Sequence, residues 1–161
     1  MRAIVCIGNR YVREDAAGPL VHDRLTAGKL PAGVAVIDGG LKGLDLMPFL
    51  EGAECTVFVD ALAGEDLRPG IHLLSAAEAA RDPARRFDCA AGLSDYAGGW
   101  PYLLNAPRPP LPAAETEVCV VCVAGVPGPD LVAEAAATAL ERVLHPSPIP
   151  GAVPAGGRGR R

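Results

Sequence analysis

No run of apolar residues in this chain approaches the ~18 that a bilayer-crossing helix requires, so the sequence predicts no membrane span. The opening "MRAIVCIG" has too short an apolar run, and no small-residue cleavage site, for a secretory leader. A cytoplasmic protein is expected. Basic clusters are equally scarce: the only one is the terminal "GGRGRR", and the formal net charge is -4. A phosphate-tracking groove needs many cations on the folded body, so a nucleic-acid partner is not expected. Nucleotide signatures are missing too. "IGNRYVREDAAG" has neither the G-x-G-x-x-G nor the G-x-x-x-x-G-K-[ST] spacing, and its acids repel phosphate. Cysteine occurs five times, an odd number that fits free thiols in a reducing compartment. No serine-histidine or cysteine-histidine hydrolase constellation can be assembled from spacing alone.

What is present is an alternation of strands and helices. Arg2 to Ile7 is a continuously apolar strand, and Ala16 to Leu25 reads as a helix with Leu20, Val21 and Leu25 available for its buried face. Gly33 to Ile37 reads as a second strand, Gly43 to Leu50 as a short helix interrupted at Pro48, and Cys55 to Val59 as a third strand. This order predicts an α/β fold: three layers, a mostly parallel twisted sheet between helices, and right-handed crossovers. "RPGIHLLS" predicts an edge strand, Ala76 to Arg81 a brief helix, and Val118 to Val123 a buried strand. Pro129 to Leu144 predicts the closing helix. Between them "CAAGLSDYAGGWPYLL" begins helical near Cys89 and breaks at Gly98, Gly99 and Pro101, and "NAPRPPLPAAETE" reads as a surface loop. One domain over residues 1–145 is expected, with a disordered tail over 146–161 rich in proline, glycine and arginine.

Three carboxylates follow the strands. Asp15 lies in the loop after the first, Asp38 closes the second, and Asp60 closes the third. The carboxyl ends of parallel strands line the crevice in which such sheets bind ligands, so these acids are expected to converge. Each is equally a residue that caps helices or makes turns. The glycines of "DGGLKG" allow the backbone to take positive φ and to approach a ligand closely. Cys119 and Cys122 form a C-x-x-C pair, but in a strand residues three apart face opposite ways, which predicts buried free thiols. His22 stands two helical turns after Asp15 and could lean toward it; a packed helix residue is the plainer reading. Tyr96, Trp100 and Tyr102 suit either core packing or a wall for a partner protein.

"IVCIGNRYVREDAAGPLV", "VIDGGLKGLDLM" and "VFVDALAGEDLRPG" resemble, in this order and spacing, the three opening motifs of the hydrogenase maturation proteases. "VVCVAGVPGPDLVAEAAATALERVL" is loosely similar to that family's last strand and helix. The resemblance implies a metal-recognising endopeptidase of aspartic type. Such an enzyme removes the C-terminal extension from the large-subunit precursor of a nickel-iron hydrogenase after nickel insertion, with nickel as the recognition signal. It places metal ligands, doubling as catalytic acids, on Asp15 and Asp60, with Glu14 where a second aspartate is usual. It places a substrate-binding turn on Asp38, Gly39 and Gly40, followed by Leu41 instead of threonine. The family's third ligand is a histidine a few residues before G-L-x-D; here that segment is Gly92 to Asp95 and the matching position is Cys89. Thiolate suits nickel or another divalent metal, so Cys89 completes the expected ligand set. The alternatives are a noncatalytic, metal-sensing maturation chaperone of the same fold and a small-molecule binder reusing the glycine turn.

Overall fold

The computed structural model describes residues 1–62, 67–75, 78 and 117–146. Strands β1 (Arg2–Ile7), β2 (Val34–Gly40), β3 (Cys55–Leu62), β4 (Gly70–Ser75) and β5 (Glu117–Ala124) form one sheet in the order β2-β1-β3-β5-β4. The β1–β2, β1–β3 and β3–β5 pairs are parallel, and β4 is an antiparallel edge on β5. Helices are α1 (Ala17–Thr26), α2 (Met47–Glu51) and α3 (Pro129–Leu144). The mostly parallel α/β architecture and the antiparallel edge agree with the sequence reading. No helix among the described residues is long and apolar enough to cross a membrane.

Period-2 alternation divides the core between the two sheet faces. Ile4, Cys6, Val57, Val59, Cys119, Val121 and Val123 pack with Val21 and Leu25 of α1 and with Ala135, Ala139 and Val143 of α3. Ala3, Val5, Phe58, Leu62, Val120 and Cys122 pack on the other face with Leu46, Met47 and Phe49. Both faces of β3 are therefore covered, which is why it is buried throughout and reads as mostly apolar, with Thr56 and Asp60 the exceptions. Full burial of a side chain such as Phe58 or Ile4 contributes roughly 1.5–3 kcal/mol. The two cysteines of the C-x-x-C pair fall on opposite faces as expected, and Cys6, Cys55, Cys119 and Cys122 are all buried and form no disulfide among the described residues. Burial pushes the Cys6 and Cys119 thiols up to about 12 and that of Cys55 to about 11, which makes them inert packing groups.

Three local expectations need correction. Strand β2 does not stop before Asp38 but runs through Gly40, and β3 does not end at Asp60 but continues to Leu62, because its pairing with β5 extends to Ala124. Pro48 does not interrupt a helix. A 3-10 turn over Gly43–Leu46 precedes α2, and Pro48 sits in its first turn, where the missing N–H is no loss. Of the helix expected from Ala76 to Arg81 only Glu78 is described: the Ser75 backbone N–H donates to Glu78 Oε2 at 2.9 Å, and the Glu78 N–H donates to Ser75 Oγ at 3.2 Å, the reciprocal bonding of a capping box. The other residues of that expected helix, the segment near Cys89 expected to begin helical, the expected proline-rich loop, Tyr96, Trp100, Tyr102 and residues 147–161 of the expected tail lie outside the described residues.

Thr56 joins α2 to the sheet. Its fully buried hydroxyl donates to the Phe49 carbonyl at 2.9 Å. Thr56→Val keeps the shape and orphans that carbonyl, so it is expected to cost about 1–2 kcal/mol in a urea titration. An unchanged midpoint would mean that α2 docks through its apolar contacts alone.

Candidate active site

Strand order places the site. From β1 the chain crosses to β2 on one side and later to β3 on the other, so the carboxyl ends of β1 and β3 flank a topological switch point. In open parallel sheets this is where a crevice opens. The loop after β1 carries Asp15, and the C-terminal part of β3 carries Asp60.

The loop is built from its own hydrogen bonds. Gly8, at φ 136°, turns the chain out of β1, and its N–H donates to the Gly40 carbonyl at 3.1 Å, tying this loop to the end of β2. The Tyr11 N–H donates to Asn9 Oδ1 at 3.0 Å, an Asx turn, and Val12 N–H reaches the Asn9 carbonyl at 3.1 Å. A 3-10 turn over Arg13–Asp15 follows, in which Asp15 N–H donates to the Val12 carbonyl at 2.9 Å. The Asp15 side chain then points back, with Oδ2 accepting the Asn9 N–H at 2.9 Å. "GNRYVRED" thus closes on its own acid.

Asp60 is only 5% exposed and, with Thr56, is one of two buried polar side chains among the described residues. Its Oδ1 accepts the N–H of Ala61 at 2.8 Å. Burial, first, and the negative charge of Asp15, second, hold its carboxyl well above the usual carboxylate range. Asp15 is raised as well by burial, partly offset by the Asn9 N–H. Asp15 therefore ionises first, and Asp60 titrates in its field. Two acids so placed hold a proton more tightly than ordinary carboxylates do, and a cation seated between them would reverse that field.

The expected convergence of three acids is met by two. Asp38 stands level with Cys6 in the β1–β2 register, on the far side of β1 from β3, and it is exposed. Its charge acts on Cys6 and Arg10, whereas the charge acting on Asp60 is that of Asp15. The glycines that follow have structural work. The β1–β2 register skips Gly39, whose Cβ would lie 2.9 Å from the Cys6 carbonyl oxygen, and Gly40 turns at φ 48°. His22 does not lean toward Asp15; its Nδ1 lies 3.3 Å from Asp23 Oδ1. Cys89 lies outside the described residues, and among those described no three His, Cys, Asp or Glu side chains come together as metal ligands.

Two features escaped the sequence reading. Asp60 is directly opposite Cys122 on β5, and Cys122 is directly opposite His72 on β4, so the three form a row across one sheet face. Nothing local in "VVCV" marks Cys122 as a neighbour of Asp60; the register does. The second is a clamp: Arg10 donates both terminal nitrogens to Asp23 of α1, Nη2 to Oδ1 at 3.0 Å, fixing the acid-bearing loop to the helix. The Arg10 hydrogen bonds draw the Asp23 carboxyl down to about 2. Its stabilising contribution is full above the ordinary aspartate range and is lost as pH falls toward 2. Because the pair is exposed and screened by solvent, Arg10→Ala is expected to lower the urea midpoint only slightly at neutral pH, and less still in molar salt. A cost unchanged by salt would show that the guanidinium acts by packing.

No family model matches the chain, and no curated protein matches it. Solved structures do. The hydrogenase maturating endopeptidase HybD from Escherichia coli superposes with a TM-score of 0.58 at 22% identity, over 89% of this chain and 90% of that one. A hydrogenase 3 maturation protease gives 0.59 at 21% identity, over 88% of this chain and 87% of that one. The solution structure of the endopeptidase HycI from Escherichia coli gives 0.59 at 21% identity, over 89% of each chain. At this identity the likeness is one of fold, and it extends over nearly the whole chain: the mostly parallel α/β sheet described above is the fold of these endopeptidases.

Proposed function

We propose that this chain is an endopeptidase that removes the C-terminal extension of a nickel-iron hydrogenase large-subunit precursor, in the cytoplasm, once nickel has been inserted. The observation that carries the reading is the Asp15–Asp60 pair: two acids brought together at the switch point, one buried, and each holding its proton above the ordinary range. Burying like charges costs stability, and a site that is to receive a cation repays that cost on binding. The fold shared with maturation endopeptidases supports the same reading.

In this proposal the nickel belongs to the substrate. Asp15 and Asp60 supply hard oxygen donors to it, and Cys89 supplies the third, softer one. Docking on the metal fixes the scissile bond beside the acids. One carboxylate accepts a proton from water as the water oxygen bonds to the carbonyl carbon; that proton then passes to the departing nitrogen as the C–N bond breaks. Asp38, Gly39 and Gly40, at the end of β2 that is tied to Gly8, hold the substrate backbone at the rim.

Cys89, standing where the resembling family has histidine, favours a second reading, a metal-sensing chaperone that binds the precursor without cutting it. Deleting the gene tests the first reading. The first reading expects a large subunit that keeps its extension and is shortened again when the gene is restored. A large subunit of mature length in the deletion strain would contradict it.

A further inference from the structure

Tyr11 is 94% exposed, although it sits on a loop held by its own hydrogen bonds and clamped to α1 through Arg10. A tyrosine can bury about 150 Å² or more, and leaving one in water on a fixed loop forgoes that gain. Other exposed apolar side chains share that end of the sheet. Of the five exposed large apolar side chains among the described residues, Tyr11, Leu20, Leu41 and Val126 follow the C-terminal ends of β1, β2 and β5, and only Met1 lies at the opposite end. Leu41 is next to Gly40, whose carbonyl receives the Gly8 N–H, so the Tyr11 and Leu41 loops are cross-tied at their bases. Arg10 is engaged with Asp23, so the guanidinium next to the ring in sequence is already paired within the chain.

We infer that Tyr11, assisted by Leu41, docks an apolar side chain of the substrate polypeptide close to the bond to be cut. The inference rests on the proposed endopeptidase reading. The occupant follows from continuity: Tyr11 is four residues before Asp15 on one hydrogen-bonded loop, so a polypeptide brought to the acids passes the ring. A fixed aromatic with little conformational entropy to lose is the kind of side chain that dominates polypeptide recognition. Substrates with an aliphatic or aromatic residue at the docking position are preferred to those with a charged one.

The test is steady-state cleavage of purified, nickel-loaded large-subunit precursor by the full chain and its variants. Tyr11→Ala is expected to raise KM about tenfold with kcat unchanged, Leu41→Ser to raise it about threefold, and Tyr11→Phe to match the parent. The melting temperature of each variant should equal the parent's, since none of these groups is buried. A KM for Tyr11→Ala within about twofold of the parent overturns the inference and leaves the proposed function standing. A fall in kcat alone, or Tyr11→Phe behaving like Tyr11→Ala, overturns it too, by assigning the residue to the chemistry or to its hydroxyl. Precursor left uncut by the parent chain overturns the proposed function, and the inference with it.

Discussion

Asp60→Asn is expected to abolish precursor cleavage and, at neutral pH, to make the protein more stable. The two effects have one origin. In the folded chain the Asp60 carboxyl is buried beside Asp15 and resists ionisation; in the unfolded chain it ionises in the ordinary carboxylate range. Between those two ranges the unfolded state has released a proton that the folded state retains, so rising pH favours unfolding. Asparagine has no proton to lose, its Oδ1 can still accept the Ala61 N–H, and the volume is unchanged. A gain of roughly 1–3 kcal/mol is expected at neutral pH, shrinking to nothing as the pH falls below the ordinary carboxylate range. Thermal melts of both proteins across that range measure it. Asp60→Asn with lower stability than the parent at neutral pH would mean that a cationic partner already offsets the charge.

Gly18→Ala is expected to destabilise the fold by about 3 kcal/mol or more, the largest stability loss foreseen here. A Cβ at Gly18 would lie 1.9 Å from the Ile7 carbonyl oxygen and 2.7 Å from the Ile7 nitrogen and carbonyl carbon. All three are backbone atoms of β1, so no rotamer change relieves the clash. Helix α1 must move off the sheet, and the loop carrying Asp15 moves with it. Gly28→Ala is the control: the nearest atom to its Cβ would be the Leu25 carbonyl oxygen at 3.9 Å, so the substitution should be neutral within about 0.5 kcal/mol. Urea titrations of the pair read the difference directly, and equal midpoints would refute the close packing of α1 on β1.

The sequence made the strand-helix alternation legible because β1, β3 and β5 are covered on both faces and so appear as mostly apolar runs rich in β-branched residues. Helix α3 was legible to the residue: Pro129 opens it and its apolar face is periodic. The placement of Asp15 and Asp60 at the carboxyl ends of β1 and β3 could be read because it follows from strand ends alone. Other features depend on register. Asp38 was grouped with them because it too ends a strand, yet the strand order sets β2 on the other side of β1. Cys122 next to Asp60 and Arg10 across from Asp23 are contacts between segments far apart or differently oriented, and no local pattern encodes them. Pro48 was misread because proline has two meanings in a helix, and which applies depends on where the helix starts.

The central claim is that the acid pair serves cleavage of a metal-loaded polypeptide. Its most direct test is the intact mass of purified large-subunit precursor, with and without nickel, after incubation with this protein. The account predicts that the nickel-loaded precursor loses one C-terminal fragment, that the nickel-free precursor keeps its full mass, and that Asp15→Asn and Asp60→Asn leave both intact. A nickel-loaded precursor of unchanged mass after incubation with the unaltered chain would contradict it.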